Sequence, residues 1–149
     1  MTDASGINGK QLLQIVVVSL GVFLSSLDVS LNVALPDISE HFGSAPETTY
    51  LMIIFYLGTT VGLQLCMGRA GDIYGLRKIF LMGLIAYTLS MIAIGIAQSI
   101  EFAIGFRVLQ AVGNAALLTI SPALITSFVQ PNFRGRALGV MGGIGSMGM

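Results

Sequence analysis

Five apolar runs, at 11–27, 48–68, 79–100, 108–133 and 137–149, contain no Asp, Glu, Lys or Arg and are separated by short charged stretches. A helix rising about 1.5 Å per residue needs roughly 20 predominantly apolar residues to cross a hydrocarbon core of about 30 Å. The second, third and fourth runs each meet that length. The first meets it only by continuing through Asp28 to Leu35, which places an ionisable carboxylate inside the membrane. The fifth reaches about 20 Å and does not cross alone. The pattern predicts a tail at 1–11, four complete spans at 12–35, 48–67, 79–97 and 102–129, and an incomplete fifth at 137–149. Short connections make successive spans antiparallel neighbours.

Composition agrees with this all-α, polytopic membrane reading. Over 149 residues 54% are hydrophobic and 9% charged, with mean hydropathy +0.87, whereas soluble domains carry about a quarter charged residues. That leaves too few charges to solvate the outer shell of a soluble helical bundle. Lys10, Arg69, Arg77, Lys78, Arg134 and Arg136 fall on one side of the layout, and the opposite connections carry no Lys or Arg. The positive-inside bias then puts the amino terminus in the cytoplasm of a cell (plasma or inner) membrane. A cleavable signal peptide competes for the first run, but that run exceeds the usual signal core and Asp3 spoils the cationic start.

Two charges remain inside the spans. Asp28 and Arg107 both lie roughly 8 to 11 Å below the outer surface by residue count. Either alone costs about 2.5 to 3.5 kcal/mol near a helix centre. Facing each other, they cost far less. Burial disfavours the ionised carboxylate and a nearby guanidinium favours it, so together they leave Asp28 able to take up and release a proton. Asn32, one turn beyond Asp28, could orient it, and Gln110 holds the matching position three residues after Arg107. The competing reading is that the pair only staples spans one and four together.

These residues carry a resemblance. "SSLDVSLNVALPDI" looks like the first-span motif of the fourteen-span drug/proton antiporter branch of the major facilitator superfamily. "GRAGDIYGLRKIFLMGL" is similar to the superfamily's loop between spans two and three, and "FRVLQAVGNAALL" to its span-four motif. The chain departs from the family pattern at Ala70, Ile73, Leu76, Ala111 and Phe133. The resemblance implies the amino-terminal part of a six-helix bundle that takes part in multidrug efflux, a secondary transmembrane transport. In it Asp28, with Arg107, Asn32 and Gln110, exchanges protons for a small lipophilic, often cationic substrate. Gly68, Asp72, Gly75, Arg77 and Lys78 form a cytoplasmic gating loop. The partners implied are the lipid bilayer, protons, the substrate and the remaining half of the transporter. On residue chemistry, Gly68, Gly71 and Gly75 allow a tight turn, and Asp72 can accept hydrogen bonds.

Other signals point elsewhere only weakly. "GIGSMG" at 143–148 matches a dinucleotide fingerprint by letter, but no strand precedes it. Gly58 with Gly62 and Gly139 with Gly143 have the spacing for close helix contact. Span five carries no Gly-Pro, the pair that marks antiporters in the family, so antiport and symport stay open. Pro122 should kink span four. The lone Cys66 and His41 suggest neither disulfide nor metal, and no cofactor motif is present. Ser25 and Ser26 precede Asp28 without a His base, so no enzyme site emerges. There is no basic stripe for nucleic acid. The alternative function is a truncated, non-transporting membrane module that pairs with other helices.

Overall fold

A computed structural model describes residues 9–41 and 46–148, with side chains at all of these except positions 10, 29–41, 46–49, 52 and 100. Five helices follow one another: α1 (Gly9–His41), α2 (Pro46–Tyr74), α3 (Leu76–Gly95), α4 (Ile100–Phe128) and α5 (Arg134–Ser146). A 3₁₀ turn at Pro131–Phe133 leads into α5. Among the described residues there is no strand. Among the described residues, four stretches are long and apolar enough to cross a membrane: Gln11–Asp28, Ile53–Tyr74, Leu76–Gly95 and Glu101–Phe128. Large apolar side chains such as Ile54, Leu65, Ile85 and Leu89 are exposed, as suits helices whose outer solvent is lipid.

The core forms around α4, which packs against α1, α2, α3 and α5. Small residues make this possible. Ala111, Ala115 and Ala116 are at most 2% exposed, and short side chains let backbones approach where lipid offers no hydrophobic drive for helix association. Helices α3 and α4 approach each other backbone to backbone. A Cβ on Gly113 would lie 2.7 Å from the Tyr87 backbone nitrogen and 2.8 Å from the Gly83 carbonyl oxygen, and one on Gly83 would lie 2.6 Å from the Ala116 Cβ. Ala111 therefore stands beside a tight crossing supplied by Gly113. Ser99 caps the start of α4, accepting from the Phe102 amide at 3.4 Å. At its far end the Gln11 side-chain amide donates to the Phe128 carbonyl at 2.7 Å. Helix α4 runs through Pro122, and the hydroxyl of Thr126 bonds back to the Pro122 carbonyl at 3.0 Å.

Three glycine expectations change. Helix α2 continues to Tyr74, so Gly68 and Gly71 are helical and the turn into α3 is one residue, Gly75, with φ 97°. Gly71 instead leaves room for the Ile120 side chain. Gly58, Gly62, Gly139 and Gly143 face open space, and the close α5 contacts are made by Gly145 against Val22 and, just past the helix end, by Gly148 against Phe23 and Ser26. The fingerprint-like glycines thus belong to a helix end packed on α1. Because only glycine takes the Gly75 conformation without strain, Gly75→Ala should cost about 1 to 3 kcal/mol. A melting temperature equal to the parent's would contradict this.

Candidate functional site

Asp28 on α1 is 3% exposed, and Arg107 on α4 is equally buried. Their closest atoms, Asp28 Oδ1 and Arg107 Nη1, are 3.4 Å apart. Gln110 sits one turn further along α4 and completes the first side of the site. Its Nε2 donates to Asp28 Oδ1 at 2.8 Å, while its Oε1 accepts from Arg107 Nη1 at 2.7 Å. One residue thereby holds both charges. Such support matters, because a buried ion pair offsets its desolvation only when hydrogen bonds satisfy what the pair leaves over.

The other carboxylate oxygen belongs to α2. The Tyr56 hydroxyl, 3% exposed as a residue, donates to Asp28 Oδ2. Asn114 Nδ2 donates to the Tyr56 oxygen at 2.6 Å, and the Ser25 hydroxyl donates to Asn114 Oδ1. The Arg107 guanidinium lies over the Tyr56 ring, 4.9 Å from its centroid, within the range of a cation–π attraction. The result is a directional chain, Ser25 to Asn114 to Tyr56 to Asp28, that runs through α1, α4 and α2. Nearby, Tyr87 ties α3 to α1 by donating to the Leu24 carbonyl at 2.7 Å.

Chemically, the three groups that hold the carboxylate are all donors. Oδ1 accepts from Gln110 and Arg107, and Oδ2 accepts from Tyr56. An ionised aspartate suits this because it only accepts, whereas a protonated one must donate from one oxygen. Adding a proton introduces a donor where all three partners already donate, which favours reorganising one of these bonds. The Tyr56 hydroxyl already accepts from Asn114, and as a neutral hydroxyl it could turn from donor to acceptor.

The structure brings Asp28, Arg107 and Gln110 together. The Asn32 backbone is helical within α1, but its side chain lies outside the described residues. Tyr56, Asn114 and Ser25 were not foreseen as members. Asn114 and Ser25 had a legible signal, being seven residues after Arg107 and three before Asp28 on the same helix faces.

The gating-loop residues sit apart from this cluster. Gly68 and Asp72 belong to the last turns of α2, Gly75 is the turn, and Arg77 and Lys78 open α3. Asp72 is exposed and has no ion pair among the described residues. The amino terminus of α3 has no side-chain cap, so Asp72 does not fill that role here. Arg77 lies over the Phe128 ring at 5.1 Å from its centroid, which pins the start of α3 to the end of α4.

A bundle of apolar helices with a buried, hydrogen-bonded ion pair between its first and fourth members defines a polytopic α-helical membrane protein. The model of the Major Facilitator Superfamily matches residues 18–149, and the chain belongs to that family. Over 144 residues it is 35% identical to the multidrug resistance protein Stp of Mycobacterium tuberculosis, covering 95% of this chain and 27% of that protein. It is 27% identical over 137 residues to the riboflavin transporter RibZ of Clostridioides difficile, covering 89% of this chain and 30% of RibZ. Multidrug resistance protein 3 of Bacillus subtilis is 29% identical over 126 residues, 84% of this chain and 24% of the relative. The chain thus spans less than a third of the length of these curated relatives. No solved structure gives a significant match.

Proposed function

We propose that these residues carry the proton site of a secondary transporter that exports small lipophilic, often cationic compounds in exchange for protons. The observation that carries the reading is the buried Asp28 carboxylate, held at one oxygen by Gln110 and Arg107 from α4 and at the other by Tyr56 from α2. Protonation removes the charge that Arg107 faces and turns an acceptor into a donor, so it changes which helices are tied together. A ligand shifts a conformational equilibrium only through different affinity for the two states, and a proton on Asp28 supplies such a difference. Two relatives named as multidrug resistance proteins support a drug-like substrate. RibZ, named for riboflavin, shows that relatives this similar also carry other names.

In this reading the amino terminus and the basic connections lie on the cytoplasmic side of the cell membrane. Asp72, with Gly68, Gly75, Arg77 and Lys78, latches the bundle against the remaining half of the transporter on that side, as its exposure and open acceptor oxygens allow. The substrate and protons pass between the two halves, as in transporters that rock two bundles around a midplane site.

The test is drug-driven proton release from the purified protein, expressed from its own gene and held in weakly buffered detergent solution. A lipophilic cation such as ethidium should release protons in a pH-dependent manner. Arg107→Ala should move that pH dependence by about 1 unit or more, the size of effect an adjacent opposite charge exerts. A profile superimposable on the parent's would mean that Arg107 only staples α4 to α1, whereas a parent that releases no protons would favour the second reading, a membrane module that does not transport and in which Asp28 and Arg107 pair helices. The near-complete burial of both groups is the observation in favour of that alternative.

A further inference from the structure

A cavity of about 470 Å³ lies between α2, α3 and α4, away from the Asp28 site. Its walls are apolar and small, with Met67, Met82, Ala86 and Gly113 among them. Only its end beside the Gly75 turn is polar, where Tyr74 and Lys78 stand. From Lys78 to Ala86 is eight helical residues, about 12 Å. Half of a hydrocarbon core of about 30 Å is about 15 Å, so the slot runs from the headgroup level most of the way through one leaflet. Tyr74 and Met82, each 66% exposed, form part of its rim. It therefore opens sideways, onto a face that carries the exposed side chains of Ile85 and Leu89.

We propose that this slot binds one acyl chain of an anionic phospholipid, with the phosphate at Lys78. The dimensions suit a single acyl chain better than a whole helix lying inside the slot. Spread over its length, the volume gives a cross-section of about 40 Å², whereas a helix with side chains is about 10 Å or more across and needs roughly twice that. Charge complementarity selects the lipid. Among the described residues Lys78 has no ion pair, it stands next to Arg77, and basic pockets between spanning helices hold acidic headgroups. The apolar walls accept the chain through dispersion contacts along its length. The glycine at the crossing of α3 and α4 keeps the floor free of side chain, so the slot and the tight helix packing come from the same residue.

The 149 residues contain no tryptophan, so an indole introduced by Met82→Trp reports on the rim. The protein is expressed from its own gene, with any tryptophan outside these residues replaced by phenylalanine, and reconstituted in vesicles of phosphatidylcholine with about 20 mol% of one brominated species. Brominated phosphatidylglycerol should quench this indole with an apparent affinity about fivefold above brominated phosphatidylcholine, the factor that about 1 kcal/mol per basic residue provides. At Leu89→Trp, on the same helix beyond the slot, the two lipids should quench alike. Lys78→Gln should remove the preference at position 82, Lys78→Arg should keep it, and Ala86→Phe should weaken quenching there by filling the slot. Equal quenching by the two lipids at position 82, or a preference that survives Lys78→Gln, would overturn the proposal. So would an indole at 82 that neither lipid reaches while Leu89→Trp is quenched, because protein would then cover the slot.

Discussion

Asp28→Asn should reduce drug-driven proton release to background while the protein still inserts in the membrane and still binds its lipophilic cation. Asparagine preserves the shape of the side chain and an acceptor oxygen, so Gln110 and Tyr56 retain something to bond to. What disappears is the ionisable group. Any binding of the cation that persists should lose its dependence on pH, since the group that linked the two equilibria is gone. The variant also leaves the Arg107 charge buried without a counterion, a loss of about 3 kcal/mol in the folded state. Pairing the change with Arg107→Gln separates the two consequences. The neutral double variant should recover most of the melting temperature, because the orphaned charge has been removed, and should still release no protons. Proton release equal to the parent's in Asp28→Asn would sink the proton-site reading.

The second large effect concerns the fold. Gly113→Val should lower stability by about 3 kcal/mol or more, because the new atoms meet backbone. The nearest groups to a Cβ at this position are the Tyr87 nitrogen at 2.7 Å and the Gly83 oxygen at 2.8 Å, and neither can rotate away as a side-chain tip can. Overpacking of this kind typically costs 1 to 3 kcal/mol, occasionally more. The helices α3 and α4 must part to admit the side chain, which also loosens Tyr87 and its bond to α1. Gly139→Val provides the contrast. Nothing lies within 4 Å of a Cβ there, so its stability should stay within about 0.5 kcal/mol of the parent. Thermal midpoints of the two variants in detergent decide the matter, and equal losses would mean that the crossing is looser than its geometry.

The two outcomes bear on how much was legible in the residues. Asp28, Arg107 and Gln110 stood out because a charge inside an apolar run has few ways to persist, and equal depth made the first two partners. Tyr56 did not stand out. Tyrosine adds to apolar content, and only tertiary packing turns its hydroxyl toward the carboxylate. The loop motif misled in a different way. Gly68 and Gly71 were read as turn formers, since glycine permits positive φ, yet α2 continues through both and uses the missing side chain of Gly71 for space against Ile120. Glycine supplies either freedom or room, and its spacing does not say which. Likewise Gly58 with Gly62 looked as good a contact pair as any, but the crossing fell on Gly83 and Gly113. In a soluble helix the polar face would have marked the outside. Here lipid-facing and protein-facing surfaces are both apolar, so the side a glycine serves is set by partners far along the chain.

The Asp28 and Arg107 pair has a history as well as a geometry, because its members are separated by 79 residues. At about 5 to 20 residues per second of synthesis, the guanidinium emerges roughly 4 to 16 s after the carboxylate. During that interval the nascent first helix holds its aspartate without the cation that later faces it, at an insertion penalty of about 2.5 to 3.5 kcal/mol near a helix centre. The apolar residues around it must carry that penalty until the fourth helix arrives with the counterion. A chain whose fourth helix lacks the arginine lengthens that exposed interval, so its first cost falls on the yield of inserted protein, even where the assembled bundle still titrates.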